Sequence, residues 1–272
     1  MTRKMIAFLS DVGSRDDAAA ICKGLMMSIC PDCTIIDISH DVRPFDVVEG
    51  AYYLKEIPIW YPPETIISAY VYPETGSGVP TVAIRNEKGQ TLVVPDNGLA
   101  TCAIRSVAPL AAYDVTEKSV MSFPPTPTWY GRDVVAAAAA HLAAGYPVEQ
   151  VGPARDLDSL TLLDLSEPSV RNGAAEGEII RIDSAYGNVW TNITIDLLGD
   201  VPESGAVVVT EIAKQSYKFP LCDTFGQVGL HEPLAYVSSR GQLAFGLNQG
   251  NLASLHNIER GMPVRAHLIS SG

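Results

Sequence analysis

Residues 127–133 (PTWYGRD) are the stretch of the sequence best suited to bind an anion. They precede the alanine-rich run 134–144, a strong helix former, and Gly145 and Pro147 supply a stop after it. The stretch is therefore expected at a helix N-terminus, where backbone amides without partners and the helix dipole favour negative charge. Gly131 would let a ligand approach those amides closely. The same pattern is typical of a glycine-containing turn before a core helix, and the stretch alone does not separate the two.

Carboxylate, amide and aromatic side chains recur at expected strand ends. Asp11 follows a short apolar segment, and Asp16 comes soon after it. Aromatic rings interleaved with a few polar groups suit a planar base and a ribose, and a carboxylate at a strand end can hold vicinal hydroxyls. They are also compatible with ordinary loop residues. The other members of this set are Tyr70, Tyr72, Trp129, Tyr130 and the polar and aromatic residues of the segment 182–192.

Several other kinds of site lack their motifs. Residues 76–78 (GSG) precede a strand, so they indicate a turn rather than a dinucleotide site. The triplet 39–41 (SHD) is interpreted as coincidence, because adjacent side chains of an extended segment point apart. Cys30 and Cys33 have CxxC spacing but no second ligand pair, so a metal site is not expected. His141 lies inside the alanine-rich run and is interpreted as a packed core histidine.

Composition limits the class of protein. The chain has 272 residues, 47% of them hydrophobic, which is ample for a folded core. A net charge of −12 without a basic run argues against nucleic acid and anionic membranes as partners. The five cysteines are scattered and predict no disulfide framework. The first residues lead directly into a short strand rather than a signal peptide, and no apolar run could span a bilayer, so we expect a cytoplasmic protein.

The elements that position these residues fall into two parts. Apolar strand-like segments alternate with helical segments through residues 1–155, which predicts a layered α/β domain with a mostly parallel sheet. Residues 156–174 are rich in turn formers and are predicted to be a linker. Residues 175–272 contain short β-type segments separated by turns, which predicts a smaller all-β, barrel-like domain.

The chemically suggestive segments resemble one known group of enzymes. They closely resemble the S-adenosyl-L-methionine (SAM) dependent halogenase and hydroxide adenosyltransferase superfamily, in order and over nearly the whole chain. The resemblance implies that superfamily's two-domain fold, a homotrimer, and a SAM site between the N-terminal domain of one subunit and the C-terminal domain of its neighbour. The matching segments are 10–13 (SDVG) with Asp16 and Asp17, 95–99 (PDNGL), 128–133 (TWYGRD), 183–192 (DSAYGNVWTN) and 238–241 (SSRG).

Local residues separate the branches of this superfamily. The hydroxide-using branch carries an Asp-Pro-Gly-Val-Gly segment followed by an arginine, and a histidine within Thr-Phe-His-Gly-Arg-Asp, which suit the orientation and deprotonation of water. The matching positions here are Tyr72, Val79 and Tyr130. None of these can act as a base at neutral pH, whereas a halide needs no deprotonation. The pattern therefore favours a halide as the nucleophile.

The fluorinase branch differs at other positions. It carries an extra loop between two strands, a serine at the position of Gly131 and a threonine at that of Tyr70, whereas residues 85–91 here form a short hairpin. Fluoride is small and tightly hydrated and needs several donors, while chloride can use one amide in a roomier apolar pocket. The chain therefore most resembles the chlorinase branch, which implies that chloride attacks SAM to give 5′-chloro-5′-deoxyadenosine and L-methionine. Bromide and iodide are expected to react and fluoride is not.

The resemblance also implies roles for individual residues. Tyr70 and the Gly131 amide would bound the halide pocket, and Asp11 would hold the ribose hydroxyls. Phe45, Tyr72 and Trp129 would wall the ribose and sulfonium. Asp16, Asp183, Ser239 and Arg240 would hold the methionine end, and Asn188 and Phe225 would meet the adenine. The remaining expected substrate contacts are Thr128, Tyr130, Tyr186, Trp190 and Asn248.

The chain departs from the fluorinase pattern in two places. Ala18 stands where fluorinases have a serine that touches the methionine, and residues 246–249 (GLNQ) lack an arginine found there in fluorinases. No general acid, no metal and no cofactor beyond SAM as co-substrate is expected. Two other functions stay open: a hydroxide adenosyltransferase that makes adenosine, and a SAM or nucleoside binding protein without turnover.

Overall fold

The computed structural model describes residues 4–200 and 205–270, and the chain divides between Leu163 and Asp164 into two compact units. Within the described ranges, none of the helices has the length and apolarity needed to cross a membrane.

The first unit contains a seven-stranded sheet with helices before and after its strands. A π-helical turn over Gly131–Ala136 leads directly into the last of these helices. The elements are β1 (Met5–Ser10), α1 (Ala18–Ile29), β2 (Thr34–Ser39), α2 (Val47–Leu54), α3 (Ile57–Trp60), β3 (Ile66–Tyr70), β4 (Thr81–Asn86), β5 (Thr91–Pro95), α4 (Thr101–Ser106), β6 (Pro109–Asp114), α5 (Ala137–Ala143) and β7 (Ala154–Arg155).

The sheet is mixed, which corrects the prediction of a mostly parallel one. Its strand order is β2-β1-β3-β5-β4-β6-β7. The pairs β1–β2, β1–β3 and β3–β5 are parallel, whereas β4–β5, β4–β6 and β6–β7 are antiparallel. Parallel neighbours need a crossover of about a dozen residues or more, and the turn between β4 and β5 is far too short for one. The α/β character of this unit is nevertheless confirmed.

Apolar side chains pack on both faces of this sheet. Ile6 and Phe8 of β1 point to one face, where they join buried residues of α1 and α5, and Ala7 and Leu9 point to the other, where they join Leu54 of α2 and residues of α4. This alternation follows from the two-residue period of a strand. The parallel strands β1 and β3 consequently end side by side, with Ser10 paired to Tyr70.

The second unit is an eight-stranded antiparallel sheet. The order is β12-β11-β15-β9-β10-β14-β13, with β8 paired to β9. A bridge between Leu221 and Ala235 joins residues near the two outer strands, so the sheet is a nearly closed barrel. Its elements are β8 (Ser169–Arg171), β9 (Ala174–Ile182), β10 (Val189–Thr194), β11 (Ala206–Ile212), β12 (Gln215–Pro220), β13 (Pro233–Val237), β14 (Gln242–Leu247), α6 (Leu252–His256) and β15 (Pro263–Ser270).

The barrel-like architecture was predicted, and the short helix α6 was not. Its five residues begin after Asn251, whose side chain accepts a hydrogen bond from the Ser254 amide at 2.8 Å. Leu252 and Ala253 are buried against the barrel core. One capped helical turn is too short to show a period in the sequence.

Candidate active site

Asp11 lies at the carboxyl end of β1, directly after Ser10. One of its carboxylate oxygens accepts a hydrogen bond from the Phe45 amide at 3.0 Å. Burial raises the pKa of Asp11, and the hydrogen bond from Phe45 opposes that rise. Ligands of α/β sheets commonly bind at the carboxyl ends of parallel strands. Asp11 is thus an anchored carboxylate in the position where such a sheet binds a ligand.

Phe45 is held in an unusual conformation beside Asp11. Its φ is +69°, in the left-handed region that non-glycine residues rarely adopt. Its side chain is 72% exposed, although aromatic rings are usually covered. Strained backbone and an exposed ring at one position are typical of residues that contact a ligand or a partner.

Tyr70 and Gly131 are in close contact. A methyl group built on the Gly131 Cα would lie 2.7–2.8 Å from three carbons of the Tyr70 ring. Both residues are buried. Burial, together with the neighbouring Cys22, holds the pKa of Tyr70 far above its ordinary value, so the phenol stays neutral. Within residues 4–200 and 205–270, the Gly131 amide donates to no acceptor.

The Asp133 side chain holds the segment before Gly131 against the start of the helix by hydrogen bonds. Buried Asp133 accepts hydrogen bonds from Arg132 Nε at 2.6 Å and from the Thr126 amide at 2.7 Å. Burial opposes the ionisation of Asp133, but these hydrogen bonds outweigh it and lower its pKa. The Arg132 guanidinium lies 4.4 Å from the centre of the Trp129 ring. The predicted helix start at this motif is confirmed, in π-helical form, which often marks functional sites.

A second loop packs against this segment. The Tyr72 hydroxyl donates to the Val79 carbonyl, and burial raises the pKa of Tyr72 to about 12. The Tyr72 and Tyr130 rings lie 6.5 Å apart in an edge arrangement, and the Tyr130 amide donates to Thr75 Oγ1 at 3.2 Å. Sequence reasoning missed Thr75, because its contact with Tyr130 crosses a long stretch of chain.

The second unit has a cavity of about 800 Å³ at the ends of β9, β10 and β14. Buried Asn188 has a side-chain oxygen without a hydrogen-bond partner among the described residues. A methyl group built on Gly246 would lie 2.5 Å from that oxygen and 3.0 Å from the Phe225 ring. Such a buried acceptor beside an aromatic ring suits a flat ligand with an N–H donor. The lining includes Asp183, Tyr186, Asn188, Phe225 and Asn248.

Two arginine side chains lie over a tryptophan ring in the same unit. The Arg240 and Arg181 guanidinium carbons lie 5.3 and 5.4 Å from the centre of the Trp190 ring. The Tyr236 ring lies 5.0 Å from that of Phe225, and burial raises the pKa of Tyr236 to about 12. Sequence reasoning did not identify Tyr236, which reads as an ordinary strand residue.

Several predicted site residues lie at the surface. Asp16, Thr128, Tyr186 and Ser239 are all exposed. Asn248 is half-buried, and its side-chain amide donates to the Val228 carbonyl at 2.9 Å. Of the predicted residues in the second unit, Asp183, Tyr186, Asn188, Phe225 and Asn248 line the cavity. The substrate contacts of all the predicted residues stay a prediction.

The sequence matches two domain families in order. Residues 6–152 match the SAM hydroxide adenosyltransferase N-terminal domain, and residues 177–265 match the corresponding C-terminal domain.

Individual relatives align with almost all of the chain. A fluorinase of Nocardia brasiliensis is 37% identical over 290 residues, which cover 97% of this chain and 96% of that protein. An (R)-S-adenosyl-L-methionine hydrolase of Thermus thermophilus is 32% identical over 267 residues, with 96% and 98% covered. The crystal structure of an uncharacterized conserved protein from Thermotoga maritima superposes with a TM-score of 0.91 at 29% identity, covering 97% of this chain and 100% of that one.

Proposed function

The chain belongs to the SAM hydroxide adenosyltransferase family, and from this premise we propose that it is a SAM-dependent chlorinase. Chloride attacks C5′ of SAM and yields 5′-chloro-5′-deoxyadenosine and L-methionine. Bromide and iodide react in the same way, and fluoride does not.

The contact between Tyr70 and Gly131 is the observation that carries this proposal. In this proposal the Tyr70 ring, which packs against Gly131, forms one wall of the nucleophile pocket, and the Gly131 amide is its hydrogen-bond donor. A pocket of this kind cannot replace the hydration of fluoride, whereas chloride loses its water more readily. The serine and threonine of the fluorinase pattern would add hydroxyl donors at these two positions.

The reaction is an in-line displacement. A bond forms between chloride and C5′, the bond from C5′ to sulfur breaks, and its electron pair passes to sulfur, which leaves as the thioether of methionine. No proton moves. Because an anion and a sulfonium cation neutralise each other as they meet, water stabilises the separated ions more than the transition state. The protein contributes alignment and a dry site, through Asp11 at the ribose and Trp129 and Phe45 around the sulfonium.

The adenine and the methionine of SAM bind to other residues than the reacting centre does. The orphaned Asn188 oxygen accepts a hydrogen bond from the adenine amino group, and Phe225 packs against the base. Arg240 pairs with the methionine carboxylate and the acidic group of Asp183 with its ammonium. Asp16 and Ser239, whose side chains are exposed, also contact the methionine end of SAM.

The assembly is a homotrimer in which each SAM lies between the first unit of one subunit and the second unit of its neighbour. Coexpression of an Asp11→Ala chain with an Asn188→Ala chain tests this arrangement. If sites are shared between subunits, mixed trimers contain some intact sites and regain activity that neither variant has. No recovery in isolated mixed trimers would contradict it.

Hydroxide transfer is the alternative function, since relatives include SAM hydrolases that are 30–33% identical. It requires a base for water. Tyr72 stands where the hydroxide-using pattern has its acidic segment, and its raised pKa of about 12 makes it a poor base at neutral pH.

The products decide among these functions. The purified protein is incubated with SAM in halide-free buffer and with chloride, bromide or fluoride, and nucleosides are identified by liquid chromatography and mass spectrometry. Chloride-dependent 5′-chloro-5′-deoxyadenosine is expected. Adenosine in every reaction would favour the hydroxide adenosyltransferase, and SAM binding without any product would favour a binding protein.

A further inference from the structure

The loop between β3 and β4, residues 71–80, is held at both ends by the two residues that follow β5. Because β5 lies between these strands, parallel to β3 and antiparallel to β4, the loop must pass over the carboxyl end of β5. The Val71 carbonyl at the start of the loop accepts a hydrogen bond from Asn97 Nδ2 at 2.9 Å. The Pro80 carbonyl at its end accepts one from the Asp96 amide at 2.8 Å. Both donors belong to the motif 95–99 (PDNGL).

The half-buried Asn97 side chain uses both its nitrogen and its oxygen here. Its Nδ2 also donates to Glu74 Oε2 in the loop at 3.2 Å, and its Oδ1 accepts from the Leu99 amide at 3.3 Å. An asparagine amide offers two N–H donors and one acceptor oxygen, so both donors have an acceptor in the loop. An aspartate would have the same shape but, when ionised, no donor for either of them.

The far side of the same loop packs against the segment that leads to Gly131. Thr75 Oγ1 accepts a hydrogen bond from the Tyr130 amide at 3.2 Å. Gly76 has a φ of +75°, and a Cβ built on it would overlap the Pro127 carbonyl oxygen. The loop therefore fixes the backbone one residue before the Gly131 amide, the donor of the proposed nucleophile pocket.

Asp96, the neighbour of Asn97, turns its side chain to other partners. Its buried carboxylate accepts from Arg155 Nη2 at 2.6 Å and from the Thr161 amide at 2.8 Å. Asn97 in turn has no hydrogen bond to residues 127–133 in the part of the chain that the structure describes. Asn97 can therefore act on the Gly131 amide only through the loop.

We propose that Asn97 is a positioning residue for the nucleophile pocket: its side-chain amide holds the 71–80 loop in the place from which Thr75 fixes the backbone beside the Gly131 amide. This role rests on the proposed displacement at that pocket. It gives a function to an asparagine that no step of the reaction uses. Without its two donors, the loop can move away from Tyr130, and the Gly131 amide then loses its alignment with the anion.

Asn97→Asp removes the two donors without changing the shape of the side chain. It keeps an oxygen for the Leu99 amide, but it turns a second oxygen towards the Val71 carbonyl and the Glu74 carboxylate. These groups repel a carboxylate, so the loop loses its hold at this end.

Asp96→Asn is the matched control, because it makes the reverse exchange one residue away. It keeps the backbone amide that donates to Pro80, and it leaves the contacts of Asn97 in place. It also removes the negative charge from a buried ion pair with Arg155, so it lowers the stability of the unit without loosening the loop.

For each variant we measure kcat and KM for the nucleophile that the parent uses, SAM affinity by calorimetry, and the melting temperature. Asn97→Asp should lose roughly tenfold or more in kcat/KM for the nucleophile, with a smaller fall in SAM affinity, because a displaced amide misaligns the attack. Asp96→Asn should keep parent-like kinetics at temperatures below its lower melting point. A purely structural role predicts instead that the kinetics follow the melting temperature in both variants.

Thr75→Val loosens the loop from its other side, because it removes the acceptor for the Tyr130 amide. If Asn97 acts through that contact, Asn97→Asp should add little to the loss that Thr75→Val causes alone, whereas two independent effects would multiply. Glu74→Ala removes one of the two loop partners of Asn97 at a half-buried residue, and it should show a smaller loss of the same kind. It tests the role even if Asn97→Asp does not fold.

The outcomes separate this role from the proposed function. A parent that turns over SAM, while Asn97→Asp matches it or Glu74→Ala does so in its place, refutes the positioning role alone. Losses of Asn97→Asp and Thr75→Val that multiply in the double variant also refute it. A parent that forms no nucleoside product refutes the proposed function, and the role of Asn97 with it.

Discussion

The Tyr70 ring fills the space that any side chain at residue 131 would need. The three nearest ring atoms are 2.7–2.8 Å from the position of a Cβ on Gly131, well inside van der Waals contact. Tyr70 belongs to β3 and Gly131 to the π-helical turn, so a side chain at residue 131 requires the ring at residue 70 to move or to become smaller. On the resemblance given above, we expect the serine and threonine of the fluorinase pattern to be an alternative way of filling the same space.

Gly131→Ser should lower chloride turnover roughly tenfold or more, because the new side chain pushes the Tyr70 ring into the pocket. Tyr70→Thr in the same chain should recover part of the loss, since it removes the atoms that clash. Steady-state kinetics with chloride measure both effects. Gly24→Ser is the matched control, because a Cβ on Gly24 meets nothing within 4 Å.

Gly131→Ala separates bulk from hydrogen bonding. Its methyl group brings the clash without a hydroxyl, so a loss equal to that of Gly131→Ser attributes the effect to packing. Chloride kinetics at the parent level in both variants would remove Gly131 from the nucleophile pocket.

Strand positions in the first unit were predictable where apolar runs are short and bounded by turn residues. The short strand predicted directly before Asp11 is β1 (Met5–Ser10), which confirms that Asp11 follows the end of a strand. The pairing of β6 with β4 was not predictable, because it joins strands that a helix separates in sequence. The mixed sheet follows from this non-local pairing together with the local hairpin of β4 and β5.

Some site residues were likewise predictable from the sequence, and others were not. Gly131 is visible in the sequence because a glycine at a helix start has a local meaning. Thr75 is not, since its significance lies in a contact with Tyr130 that only the folded chain creates. A histidine in the local triplet SHD was interpreted as coincidence, and its actual partners, Ser10 and Asp37, lie outside that triplet.

Asp11→Ala should weaken SAM binding by roughly tenfold to a hundredfold, which is the scale of a lost hydrogen bond to a charged group. Asp11 is anchored by the Phe45 amide and cannot be replaced by a neighbouring carboxylate without moving that loop. Calorimetry with SAM measures the change, and Asp164→Asn, at an exposed carboxylate, is the control. Parent-like affinity in Asp11→Ala would show that another group holds the ribose.

Gly246→Ala should abolish most SAM binding while leaving the fold intact. Its methyl group would lie 2.5 Å from the Asn188 side-chain oxygen and 3.0 Å from the Phe225 ring, where the adenine is proposed to bind. Gly226→Ala is the matched control, because its nearest neighbour is Thr224 Oγ1 at 3.9 Å. Equal SAM affinities in the two variants, with equal melting temperatures, would place the adenine elsewhere.

The clamp at Asp133 predicts a pH dependence of stability. Its folded-state pKa is lowered, so the carboxylate stabilises the fold above its ordinary pKa of 3.8, and that stabilisation is lost as the pH falls through the lowered value. Asp133→Asn keeps the shape but not the charge, and it should melt well below the parent at pH 7. The difference in melting temperature between parent and variant should narrow as the pH drops below 3.8, because the parent then loses the charge that Asp133→Asn lacks at every pH. Melting curves across this range, with exposed Asp164→Asn as the control, measure the gap, and a gap that stays constant would mean that Arg132 and Thr126 do not stabilise the ionised carboxylate.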